Sequence, residues 1–150
     1  NSVNWYFQAI DSQLGINRVQ EFLNKIEYGN QTTSSNLDLY WSDFSLKISP
    51  LEQVTLLKKF NTNEFHLNFQ NVFSVKNAIK IASTPNGNFY GKTGTGRVNG
   101  QDINGWFIGY VETSDNSYYF ATNIQSDSNA TGKKAFEITS DILKKLHIWN

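Results

Sequence analysis

Cysteine is absent from all 150 residues, and histidine occurs only as His66 and His147. The first absence excludes a disulfide framework and thiolate chemistry, and the two together exclude the usual zinc ligand sets. Any catalysis must therefore draw on Ser, Thr, Lys, Tyr or carboxylates. Excess charge is also missing. Thirteen Lys plus Arg balance 13 Asp plus Glu, so the chain carries no electrostatic footprint for nucleic acid or for an anionic membrane surface. No apolar run approaches the roughly 18 to 20 residues of a membrane span. The opening Asn1-Ser2-Val3-Asn4 has neither an initiator Met nor a basic-then-apolar leader, which suggests a segment of something longer. Lack of cysteine is compatible with a place outside the cell but does not require it.

What is present describes a globular domain. Hydrophobic residues make up 39%, aromatics 15% and charged residues 17%, too apolar and aromatic for a disordered chain. At 17.1 kDa the chain is the size of one domain, and residues 1–150 are read as a single unit. Val3, Tyr6, Phe7, Ile10 and Leu14 recur at helical steps, with Gly15 placed as a C-cap. A second helix is expected behind an Asn17 cap paired with Gln20, burying Val19, Phe22, Leu23 and Ile26. Residues 29–36 read as a loop and 37–48 as an aromatic-rich connection. Ser49-Pro50-Leu51-Glu52 is a helix start with Leu51, Val54 and Leu57 facing inward, and a further helix is expected from about Leu67 to Ala82.

Thr84-Pro85-Asn86-Gly87 stops the helical pattern, and the period then changes to two. Strands are expected at Asn88 to Thr93, Ile103 to Glu112 and Ser117 to Ile124, joined by turns at Asn99-Gly100 and Ser114-Asp115-Asn116 into an antiparallel meander. A last helix would bury Ala135, Phe136, Ile138, Ile142, Leu143 and Leu146 against that sheet. Helices, then strands, then a terminal helix indicate an α+β fold, an antiparallel β-sheet flanked by helices with a helical subdomain.

The richest chemistry lies in Tyr90-Gly91-Lys92-Thr93-Gly94-Thr95-Gly96. Lys92 offers a cation beside an attacking Ser and a substrate carboxylate, Thr93 and Thr95 offer hydroxyl donors, and Gly94 lets a ligand approach the backbone. The strand edge supplies N–H groups for an oxyanion. Lys-Thr-Gly is one motif of the penicillin-recognising serine enzymes, and Ser2-Val3-Asn4 fits their Ser-x-Asn motif. Other candidates lack partners. His66 and His147 stand without a motif, Gly94-Thr95-Gly96-Arg97 lacks the rest of a phosphate loop, and Lys133-Lys134 and Lys144-Lys145 read as solvated helix charges.

The series SVNWYFQ, YGNQ, LYWSD, LKIS with LEQV, YGKTGTG, GWFIGYVE and YYFATN resembles class D serine β-lactamases in order and spacing. It most resembles the extracellular penicillin-sensor domains of the membrane receptors that induce β-lactam resistance in staphylococci and bacilli. The resemblance implies a serine β-lactamase and penicillin-binding-protein fold. Its partners would be β-lactam antibiotics and the remainder of the same receptor chain, at the extracellular face of the membrane. By the same resemblance, Ser2 would bridge a general-base Lys and Lys92, and Asn4 would stand where the hydrolases usually carry Val. Lys92 would orient the proton relay, Thr93 and Thr95 would bind the drug carboxylate beside Gly94, and the Thr95 N–H would be half of an oxyanion hole. Trp41 would contact a carboxylated lysine, and Tyr28, Gly29 and Asn30 would form a supporting box.

One element of the pattern is missing. No Ser-x-x-Lys occurs in residues 1–150, and Thr55 with Lys58 and Thr131 with Lys134 lie downstream of the wrong motif. The nucleophile, the carboxylated lysine and the first strands are therefore expected upstream, making the domain incomplete at its N-terminal end, with no metal or other cofactor. Two activities remain open: a receptor that is acylated and does not turn over, or a class D β-lactamase. A module without covalent chemistry is the third reading.

Overall fold

The computed structural model describes residues 3–33, 40–41 and 44–150. The chain divides into two units, residues 1–52 and 53–150. In the first, α1 (Asn4–Leu14) and α2 (Ile16–Lys25) meet at a single residue. Gly15, at φ +79°, donates its N–H to Asp11 O at 2.9 Å, while its carbonyl accepts the Val19 N–H at 3.2 Å. One glycine therefore both ends α1 and starts α2, and the expected Asn17 cap is displaced. Gln20 does not cap either. Its Nε2 donates to Asn24 Oδ1 at 2.8 Å and its Oε1 accepts the Thr33 hydroxyl at 2.7 Å.

Val19 and Leu23 of α2 are buried together with Ile26, but Phe22 is exposed. No side chain of α1 is buried, and Tyr6, Phe7 and Leu14 of its expected inner face are exposed. Periodicity sets where the apolar stripe lies; burial further needs a surface to meet it, and among the described elements of this unit α1 has α2. Helix α3 (Pro50–Asn61) opens with the expected reciprocal cap: the Ser49 N–H donates to Glu52 Oε2 at 2.8 Å and the Glu52 N–H to Ser49 Oγ at 3.3 Å. Its buried residues are Gln53 and Leu57, whereas Leu51 is 82% exposed, correcting the expected inward position.

In the second unit, Asn68 caps α4 (Phe69–Ala78) by accepting the Gln70 and Asn71 N–H groups at 2.9 and 3.4 Å. This helix ends four residues before the expected Ala82, because Lys80–Thr84 is a strand, β1. Pairing with the next strand overrides the weak helical pattern there. Strands β2 (Gly87–Val98), β3 (Gln101–Glu112) and β4 (Ser117–Gln125) complete an antiparallel sheet in the order β1-β2-β3-β4. The expected turns lie at Asn99-Gly100 and at residues 113–116.

Helix α5 (Gly132–Lys145) covers one face of the sheet, where Phe89, Phe107, Val111, Ala135 and Leu143 form the core with Phe120, Ile124 and Phe136 packed around them. The helix meets the sheet through a narrow stripe of Gly132, Ala135, Thr139 and Leu143. Ile138, Ile142 and Leu146, expected inside, are 37%, 48% and 61% exposed. Small and hydroxyl residues let α5 approach closely, and the Thr139 hydroxyl joins Thr122 at 2.6 Å. The opposite face carries a cross-strand row of Tyr90, Tyr110 and Tyr119, with centroids 4.7 and 5.7 Å apart. Asn61 at the end of α3 donates to the Tyr119 hydroxyl at 2.8 Å.

Candidate functional site

Strand β2 is paired along its whole length with β3 but only over its first residues with β1. The last bond on the β1 side runs from the Gly91 N–H to Ile79 O, at 2.8 Å. Beyond it, among the described residues, β2 has no strand on that side. Backbone groups alternate along a strand, so the N–H and C=O of Thr93 and Thr95 point the same way as those of Gly91, onto the open edge. Among the described residues, a short β1 therefore leaves the Thr93 and Thr95 amides beside Lys92 without a strand partner.

Lys92 lies on the opposite face from the α5 core, and its ammonium donates to Thr93 O at 2.6 Å on that edge. Partial burial of the ammonium lowers the Lys92 pKa from its ordinary value. Gly94 shares the Lys92 face, where a Cβ would meet Trp106 Cβ at an ordinary 3.7 Å. A side chain would fit there, so the glycine leaves the backbone uncovered rather than relieving a clash. Thr93 and Thr95 turn toward α5, and Thr95 Oγ1 accepts the Gly132 N–H at 2.9 Å. Cation, open amides and hydroxyls are thus gathered within four consecutive residues.

The remaining candidates lie in the first unit. Asn30 clamps two stretches of chain: its Nδ2 donates to Ser45 O at 2.8 Å, its Oδ1 accepts the Lys47 N–H at 2.9 Å, and its own N–H donates to Lys47 O at 2.9 Å. Gly29, at φ +50°, lies so close to the second stretch that a Cβ would overlap Lys47 O. Tyr28 donates its N–H to Leu23 O at 3.0 Å, and burial raises its pKa. These bonds are architectural. The neighbouring Tyr40 has its pKa pushed up to about 12, by burial first and then by the Asp11 carboxylate, to which it hydrogen-bonds. Trp41 is 37% exposed. Asn4 is the first residue of α1 and is exposed, with Val3 in the cap position. Ser2 lies outside the described residues.

Sequence reasoning missed Gly132 and its bond to Thr95. A signal was available: glycine in a helix is unfavourable, so one at the first position of α5 asks for a packing reason. Among the described residues no cluster of three or more His, Asp or Glu is arranged to hold a metal, and no helix is long and apolar enough to cross a membrane. An open concavity lined by Lys58, Thr113, Asp115, Asn116, Ser117 and Tyr119 lies at the β3–β4 turn, far along the sheet from Lys92.

Comparison with known proteins places this geometry in a family. The penicillin binding protein transpeptidase domain matches residues 1–144. The methicillin resistance mecR1 protein of Staphylococcus aureus is 44% identical over 147 residues, which are 98% of this chain and 25% of that protein. The solved C-terminal domain of the Bacillus licheniformis BlaR penicillin-receptor superposes with a TM-score of 0.92 at 46% identity, covering 98% of this chain and 59% of that one. A class D β-lactamase from Bacillus subtilis superposes with a TM-score of 0.89 at 37% identity, covering 98% of this chain and 60% of that one. The chain thus spans a quarter of the mecR1 protein and about three fifths of these solved chains. It belongs to the penicillin-binding protein transpeptidase domain family, as a homologue of the BlaR and mecR1 C-terminal domain related to the class D β-lactamases.

Proposed function

We propose that this chain is the later part of a β-lactam sensor domain, acylated by the drug at a serine upstream of residue 1 and signalling across the membrane to which the parent receptor is anchored. The observation that carries the reading is the open edge of β2, where the Lys92 ammonium and the Thr93 and Thr95 amides lie together, in a chain 44% identical over 147 residues to the methicillin resistance mecR1 protein. In the proposed reaction the serine Oγ attacks the lactam carbonyl carbon. The C–O bond forms, the C–N bond of the ring breaks, and the serine proton passes to the departing nitrogen. The Thr95 N–H faces the developing oxyanion, Lys92 orients the proton relay, and Thr93 and Thr95 receive the drug carboxylate.

Asn4 favours a receptor over a hydrolase. At the position where, by the resemblance, the hydrolases usually carry Val, its amide can hydrogen-bond an uncharged or ammonium lysine and so disfavour the carboxylated form. Loss of that base after acylation leaves no group to activate water, and the acyl-enzyme persists. Likeness to the Bacillus subtilis class D β-lactamase keeps turnover as the second reading. Incubating the complete domain with a chromogenic cephalosporin separates the two. One stoichiometric burst is expected, and sustained turnover over many equivalents would overturn the receptor reading.

A further inference from the structure

The start of α5 lies directly across the backbone of the sheet. The Ala130 N–H donates to Asp102 O at 2.8 Å, and a Cβ on Gly105 of β3 would overlap Thr131 O. One residue on, a Cβ on Gly132 would stand 2.5 Å from Gly94 O and 3.0 Å from both Gly94 N and Thr93 Cβ. Only a glycine brings its N–H to 2.9 Å from Thr95 Oγ1 along this path. Thr131 meanwhile accepts the Lys134 N–H at 3.1 Å, so the helix start is capped in the ordinary way and the Gly132 amide is directed at Thr95 instead.

A hydroxyl has one proton and two acceptor lone pairs. With a lone pair of Thr95 Oγ1 taken by an amide at the positive end of α5, the hydroxyl proton is turned away from Gly132 and is made a better donor. We propose that Gly132 is a positioning residue for ligand recognition: its N–H sets the Thr95 hydroxyl as a donor to the carboxylate of a β-lactam, and its missing side chain keeps α5 close enough to do so. This rests on the reading that Thr95 meets that carboxylate.

The test compares acylation of the complete sensor domain, the span of the solved Bacillus licheniformis receptor domain, by a penicillin and by its methyl ester. Wild type is expected to prefer the acid. Gly132→Ala is expected to slow acylation by the acid about tenfold, the scale of one hydrogen bond to a charged group, with the ester little changed. Equal slowing of both, or of neither, would overturn the proposal. The added methyl also strains packing, so a measurement on the unaltered protein accompanies it. The amide resonance of Gly132 is expected to shift with the acid and not with the ester, and indifference to the acid would sink the proposal. A wild-type domain acylated equally by both ligands overturns the proposal while leaving the sensor reading standing. One acylated by neither overturns both.

Discussion

At the scale of residues, the candidate site depends on which way single groups point. Lys92 is a strand residue whose ammonium curls onto the edge of its own strand, and it contributes little to packing. Lys92→Ala in the complete domain is therefore expected to slow acylation by about a hundredfold or more, the scale of a lost proton-transfer group, with melting temperature nearly unchanged. A collapse in melting temperature would count against that. Burial depresses the Lys92 pKa, so by amine labelling it should lose its proton below the ordinary lysine value of about 10.4. The sign for stability follows. Between the folded and the unfolded pKa the unfolded chain binds the extra proton, so this group's contribution rises as pH increases through that window. Lys92, Thr93, Gly94 and Thr95 were legible because consecutive residues carry their chemistry in a short motif. Gly132 was not, since its partner lies 37 positions earlier and only the sheet brings the two together.

Elements show the same division. The capping box of α3 is a local bond pattern and was legible from Ser49 and Glu52 alone. Hydrogen bonds from Ser49 lower the Glu52 pKa. The cap should therefore hold above the ordinary glutamate pKa and weaken as pH falls through the depressed one. Thermal unfolding of wild type and Glu52→Gln should differ at neutral pH and converge in acid. Strand β1 was missed for a physical reason. Four of its five residues are exposed, so no alternation of burial marks it, and it exists through its pairing with β2. On α5, apolar spacing located the helix but not the stripe that packs. Leu143 is 5% exposed and its neighbour Ile142 48%. Leu143→Ala should cost about 2–5 kcal/mol in chemical denaturation and Ile142→Ala well under 1 kcal/mol, a contrast between adjacent residues that reversed burial would invert.

At the scale of the whole molecule, the chain holds an open strand edge beside Lys92 without a Ser-x-x-Lys motif anywhere in residues 1–150. Expressed alone, residues 1–150 should show no covalent penicillin adduct by intact mass, and an adduct would mean that another side chain can attack the ring. Composition alone excluded thiolate and disulfide chemistry and removed any basic footprint, since these depend on residue types and not on arrangement. Motif order carried the family, and turn and capping residues carried most element boundaries, because both are written in short stretches of chain. Tertiary structure decided what depends on distant partners. It determined that Lys80–Thr84 is a strand, β1, and that pairing on that side of β2 stops at Gly91, so that among the described residues the Thr93 and Thr95 amides have no strand partner. It also decided which stripe of α5 is buried, and that a helix start 37 residues away holds the Thr95 hydroxyl. Hydrogen-bond pairing and close packing join residues far apart in sequence, and local pattern carries no record of which partner arrives.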